Sequence, residues 1–209
     1  ATRAKNAAGK RPSMELRLLR AMEALLERGQ RLSTVSVEKL MEEAGMSRAS
    51  FYKHFKDRGE LVTRLISVLE QEFAASTGTW LADPENAYPR DMRDALDGMV
   101  DVFNKHHAIL VAIEDLAPQD PSVAMAWERL MNALSMGARH SLSTVKKEGR
   151  SRPGATNDVA DAMWWMVALY CTRFAGQKSG PELKRLKKTL GYICSSVTFA
   201  DEVDKQALG

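Results

Sequence analysis

The placement of the prolines constrains this chain most. All seven (Pro12, Pro84, Pro89, Pro118, Pro121, Pro153 and Pro181) fall where helical apolar spacing breaks, and none interrupts a sustained pattern. A proline inside a helix removes a hydrogen bond and clashes with the preceding turn, at about 3 kcal/mol, so the long proline-free stretches are permitted helices. Those stretches repeat apolar residues every three or four positions. No run of four to eight residues alternates as a half-buried strand does, and no internal repeat is present. An all-α fold is expected.

The expected helices follow from caps and stripes. Ser13 opens a helix to Arg28, with Leu18, Met22, Leu25 and Leu26 on one face. Ser36 to Ala44 is a short helix ended by Gly45, and Ser47 caps another short one through Phe55. Asp57 and Glu60 have capping-box spacing and open a fourth, from Arg58 to Thr77. Beyond a proline-bounded loop at 82–89, one segment is striped by Met92, Leu96, Met99, Val100 and Phe103, and the next by Ile109, Val111, Ile113 and Leu116. Ser122 to Lys147 is the longest pattern, about 40 Å at 1.5 Å per residue. A loop at 149–155 precedes the last two helices, Asn157 to Gly176 and Glu182 to Phe199.

Composition narrows the class. A hydrophobic share of 44% with 27% charged residues fits a folded globular chain and not a disordered one. Two cysteines, Cys171 and Cys194, are too few for a disulfide framework and point to a reducing compartment. The longest apolar run, Ala162 to Cys171, is too short to cross a bilayer, and no apolar segment follows the basic N-terminus as in a secretion signal. A cytoplasmic chain without a membrane partner is expected. Its charge is uneven: residues 1–62 hold 13 Lys/Arg and 8 Asp/Glu, a net of +5, whereas the remainder is −2. An anionic partner at one end fits that asymmetry, although +5 is also within ordinary fluctuation.

The short helix, glycine turn and short helix across Val37–Phe55 form a helix-turn-helix candidate. Gly45 supplies the positive φ of the turn, and the second helix has dimensions that enter a major groove about 12 Å wide. Its leading residues, Ser47, Arg48, Ala49 and Ser50, are small or basic and can approach base edges. Tyr52, Lys53, His54 and Lys56 follow as a basic and aromatic cluster for phosphate and groove-edge contact, while Phe51 and Phe55 point inward. Ser36 at the start of the first short helix and Arg58 at the start of the fourth complete the candidate DNA-binding set. Arg58 and Gly59 would present backbone N–H groups to a phosphate. A plain helical hairpin is the alternative, but it has no need of Tyr-Lys-His-Phe-Lys on an exposed short helix.

The run Ser36-Val-Glu-Lys-Leu-Met-Glu-Glu-Ala-Gly-Met-Ser-Arg-Ala-Ser-Phe-Tyr-Lys-His-Phe-Lys-Asp-Arg-Gly-Glu-Leu61 resembles the DNA-binding signature of TetR-family transcriptional regulators. Leu18, Leu19, Ala21, Leu25, Leu26 and Gly29 are similar to that family's first helix and its terminating glycine, so the resemblance covers residues 14–70. It implies an all-α dimer with an N-terminal three-helix reader and a variable C-terminal domain that binds ligand and dimerises. Two departures from the pattern fall together: the family usually has Ser/Asn-Lys-Glu where this chain has Asp57-Arg58-Gly59, so Arg58 replaces a lysine and Gly59 removes a side chain. That alters the phosphate clamp, since arginine and lysine are not interchangeable there. The Phe174-Ala-Gly176 ending and the tryptophan-rich stretch resemble the ethionamide-resistance repressor subgroup.

Three domains are expected: a basic arm at 1–12, the helix-turn-helix domain at 13–60, and a helical ligand-binding and dimerisation domain at 61–209. The arm either follows phosphates or a minor groove or is an idle tail. Seven of the eleven methionines lie after residue 90, and methionine suits pockets that adapt to apolar ligands. Helical spacing groups Met92, Met99 and Phe103, then Trp127, Met131 and Leu134, then Met163, Met166, Tyr170 and Phe174. These either line a ligand tunnel, with Tyr170 or Asn132 as a polar handle, or fill a core. The Asn157–Gly176 helix is apolar nearly all round and must be covered on more than one side. Trp164, Trp165 and Leu169, with Leu186, Leu190, Ile193 and Val197 of the last helix, are the expected interface of a four-helix dimer contact.

Enzymatic and metal-binding motifs are absent. None of the four histidines has another His or a Cys four residues away, and there is no phosphate loop, dinucleotide fingerprint or nucleophile elbow. No cofactor is expected. The sequence therefore points to a dimeric DNA-binding regulator, a repressor released from a two-fold-symmetric operator by a small apolar effector. The competing reading is a small-molecule-binding or scaffold dimer that does not act through DNA.

Overall fold

The computed structural model describes residues 13–200, so the expected arm at 1–12 lies outside the described residues. Ten α-helices run in order: α1 Met14–Glu27, α2 Val37–Glu43, α3 Arg48–His54, α4 Arg58–Ser76, α5 Gly78–Ala82, α6 Pro89–Lys105, α7 His107–Leu116, α8 Pro121–Lys147, α9 Asn157–Phe174 and α10 Gly180–Thr198. No strand occurs among the described residues; one isolated antiparallel bridge joins Ser151 to Phe199. None of these helices is long and apolar enough to cross a membrane.

The prolines act as helix starts. Pro89, Pro121 and Pro181 sit in the first turn of α6, α8 and α10, where the missing N–H would have no intrahelical partner anyway. Pro84 and Pro118 lie in short 3-10 turns between helices. The last helix therefore begins at Gly180, two residues before the expected Glu182. Gly78 breaks the long fourth pattern at φ +48°, and the chain beyond it forms the separate five-residue α5.

Side chains cap the N-terminal helices as their sequences direct. Ser13, Ser36, Ser47 and Asp57 each accept a backbone N–H three residues on. The N-terminal helix-turn-helix domain and the C-terminal helical domain share one continuous apolar core, from Leu18 to Phe199. Helix α4 makes the junction, packing on α1 as well as on α6 and α8. In the C-terminal domain α10 lies along α6, and α8 lies between α4 and α9.

Candidate nucleic-acid interface and interior cavity

Local sequence sets the geometry of α2, the turn and α3. Ser36 Oγ accepts the Lys39 N–H at 3.2 Å to start α2. Gly45 takes φ +61°, and Ser47 Oγ accepts the Ser50 N–H at 3.2 Å to start α3. Arg17 of α1 fastens the turn by donating to the carbonyls of Ala44 (2.7 Å) and Gly45 (3.0 Å). Inside, Phe51 and Phe55 are buried with ring centroids 5.3 Å apart. Outside, Ser47, Arg48, Ala49, Tyr52, Lys53, His54 and Lys56 are exposed and Ser50 is half-buried. Tyr52 is 55% exposed, its ring edge-on to Phe51 at 5.2 Å.

The exposed face of α3 is cationic and partly ordered. Arg48 lies 2.7 Å from Glu38 of α2 and 5.8 Å from the Tyr52 ring centroid. Its pKa is raised by the hydrogen bond with Tyr52 and then by the charge of Glu38. Arg58 takes a different position from the other cations. Its guanidinium donates to the carbonyls of Leu32 (3.1 Å) and Ser33, which pins the α1–α2 connection. At the start of α4 two backbone donors are already engaged, Glu60 N–H by Asp57 at 2.9 Å and Lys56 N–H by Glu60 at 2.8 Å. Gly59 also has a reason in the packing: a Cβ there would lie 2.8 Å from Asp120 Oδ2 and 3.0 Å from Ser122 Oγ, so glycine admits the start of α8.

The C-terminal domain holds an interior cavity of about 50 Å3. Met92, Met99, Leu134 and Met163 line it together, with Trp80, Leu96, Leu142, Val167 and Cys194 among the residues that spacing alone did not single out. Trp164, grouped by sequence with the interface, is 4% exposed and forms part of the cavity wall. Other members of the expected ligand set are elsewhere. Phe103 is fully buried, packed edge-on against Phe73 at 4.9 Å, and Met131 is buried in the core. Trp127 is half-buried against that core. Tyr170 and Phe174 are exposed with ring centroids 4.7 Å apart, and Asn132 is exposed on α8, so neither handle candidate reaches the cavity.

The outer face of α9 is apolar. Trp165 (43%), Leu169 (57%), Tyr170 and Phe174 stand exposed on it, and Val197 and Tyr192 are exposed on α10. A surface groove between the two helices is lined by Met166, Tyr170, Leu186, Leu190 and Ile193 together with the polar Lys178, Glu182, Arg185 and Thr189. Leu186 and Leu190 are buried within the protomer and form the floor of the groove.

A short exposed cationic helix braced by a second across a glycine turn, carried on an all-α bundle, defines a helix-turn-helix protein. Residues 18–65 match the family model for bacterial regulatory proteins of the tetR family. Over these residues the chain carries the DNA-binding domain of tetR-family regulatory proteins. No curated protein matches it in sequence. Solved structures resemble it over nearly their whole length. SmeT, the repressor of the Stenotrophomonas maltophilia multidrug efflux pump SmeDEF, superposes with a TM-score of 0.69 at 18% identity, covering 92% of this chain and 93% of that one. The ketosteroid transcriptional regulator KstR2 of Mycobacterium tuberculosis gives 0.66 at 20% identity, covering 94% and 100%. The TetR-family regulator PfmR from Thermus thermophilus gives 0.66 at 18%, covering 85% and 95%. At such identities the likeness concerns the fold.

Proposed function

We propose that this chain is a cytoplasmic, homodimeric repressor that leaves a two-fold-symmetric operator when a small apolar effector enters the interior cavity. The observation that carries the reading is the exposure of Arg48, Tyr52, Lys53 and His54 on a short helix whose Phe51 and Phe55 are locked inside. Residues 13–60 read the duplex, and residues 61–209 dimerise and sense. Two copies of α3 related by a dimer axis read half-sites about 34 Å apart or a multiple of it. The exposed apolar face of α9, with the groove toward α10, is the surface that a second copy covers. That a structural neighbour is named as a repressor supports the sign of regulation.

Selection from random duplex DNA supplies the operator, and binding is then measured against salt. The expected result is a two-fold-symmetric site whose affinity falls steeply with salt and is lost in Tyr52→Ala and Lys53→Ala. Unchanged binding by both variants removes the mechanism and favours a ligand-binding or scaffold dimer.

A further inference from the structure

We propose that the interior cavity takes a compact, uncharged, largely apolar molecule with one hydrogen-bond acceptor, a carbonyl or ether oxygen that receives the indole N–H of Trp164. The proposal rests on reading this cavity as the effector site and specifies what fills it.

The cavity is lined by apolar side chains, and one lining residue, Trp164, carries a buried N–H donor. Met92, Met99, Leu134 and Met163 line the space, and Trp164 joins them from α9. Trp164 is 4% exposed, and its Nε1–H is buried without a partner among the described residues. Buried polar groups are nearly always paired, so an unpaired donor in a cavity wall needs a reason. Among the described residues the other buried side-chain atoms without a partner belong to Thr63, His107 and Thr198, and none of these lines the cavity. The hydroxyl of Ser141, on α8 between the wall residues Ala138 and Leu142, already donates to the Trp80 carbonyl at 2.6 Å.

The ligand's chemistry follows from these groups. An indole N–H donates and cannot accept, so the complement is an acceptor. An ionised carboxylate or amine would meet no counter-charge, and burying an unpaired charge is prohibitive. The one titratable wall group, the Cys194 thiol, is pushed up to about 12 by burial and stays neutral. Size follows from volume: about 50 Å3 corresponds to three to five water molecules at about 10–15 Å3 each. That suits a single small ring or short chain, with three methionines able to adjust around it.

The test uses the full chain with 15N-labelled tryptophan and three probes built on one six-membered ring. These are cyclohexanone, methylenecyclohexane (the same ring with C=CH2 in place of C=O) and cyclohexanecarboxylate. Cyclohexanone is expected to move the Trp164 indole proton downfield. Methylenecyclohexane should bind without that shift, and the carboxylate should leave the spectrum unchanged. Trp164→Phe should weaken cyclohexanone about tenfold, the scale of one hydrogen bond, and leave methylenecyclohexane within about twofold. Equal weakening of both neutral probes, or preference for the carboxylate, overturns the proposal while the cavity remains a ligand site. If neither neutral probe binds, the cavity reading itself fails. Should Trp164→Phe not fold, the presence or absence of the ketone-specific indole shift in the unaltered protein decides.

Discussion

Nε2 of His106 lies 2.9 Å from Oε2 of Glu72, and its Nδ1 faces Glu23, so one buried imidazole joins α1 and α4 at the end of α6. Lys105 is 2.6 Å from the same Glu72 oxygen. Burial pulls the His106 pKa down, but the hydrogen bonds and charges of Glu23 and Glu72 outweigh it and the net shift is upward. For Glu72 burial pulls upward, and the bonds from Lys105 and His106 bring it below its ordinary value. The histidine's contribution is complete below 6.5 and is lost as pH rises through the raised value. The carboxylate's is complete above 4.5 and is lost as pH falls through the lowered value. Thermal melting across pH 5 to 9 should show stability declining above about 6.5. His106→Gln should flatten that decline and cost about 3 kcal/mol, because it leaves Glu23 without its cation and Glu72 with Lys105 alone.

Neighbouring residues of α3 should separate stability from binding. Phe51 is 1% exposed, and Phe51→Ala should cost about 3–5 kcal/mol in urea unfolding. Tyr52→Ala should stay within about 1 kcal/mol of the parent and abolish operator binding, since the ring is half in solvent. Comparable unfolding midpoints for the two would contradict the inward and outward assignment.

Glu38 holds Arg48 on the exposed surface that is proposed to meet the duplex. Glu38→Gln releases that cation and removes a like charge from the phosphates, and should raise operator affinity about two- to fivefold, the scale of an exposed ion pair. The salt slope should steepen, by up to about 1, as Arg48 takes up a phosphate. An affinity that falls would mean that the Glu38 contact positions Arg48 productively.

Leu169 is 57% exposed on α9, beside the exposed Trp165, Tyr170 and Phe174. Leu169→Glu should convert a dimer to a 23.2 kDa species in sedimentation at micromolar concentration. Operator affinity should fall with it, because each half-site would then bind alone. A variant that stays dimeric relocates the interface.

Gly59 stands where the family pattern has glutamate. Gly59→Glu should destabilise the protein by about 1–3 kcal/mol through overpacking, since Asp120 cannot retreat without weakening the bonds that its other oxygen accepts from Ser122 and Val123. Urea unfolding measures this, and a more stable variant would show that α8 yields easily.

Local chemistry made much of this fold readable. Ser36, Ser47 and Asp57 cap within three residues of themselves, and Pro89, Pro121 and Pro181 start helices by their own geometry. What escaped depends on partners far along the chain. Arg17 reaches 27 residues to Ala44, and Arg58 reaches back to Leu32 and Ser33. On α9 apolar residues run all round, so spacing could not tell that Trp164 enters the wall while Trp165 faces outward. The same ambiguity placed Tyr170 and Phe174 among cavity candidates, though the helix turns them to the surface.

Helix α8 touches Gly59 through Asp120 at one end and supplies Leu134 and Leu142 to the cavity wall farther along. The 22 residues between Asp120 and Leu142 span about 33 Å on an unbroken hydrogen-bonded rod. Lever arithmetic then applies: a tilt of about 5° about the cavity end carries Asp120 roughly 3 Å against the reader. Under the proposed release mechanism the amplification is set by the length of one helix, with Gly59 as its bearing.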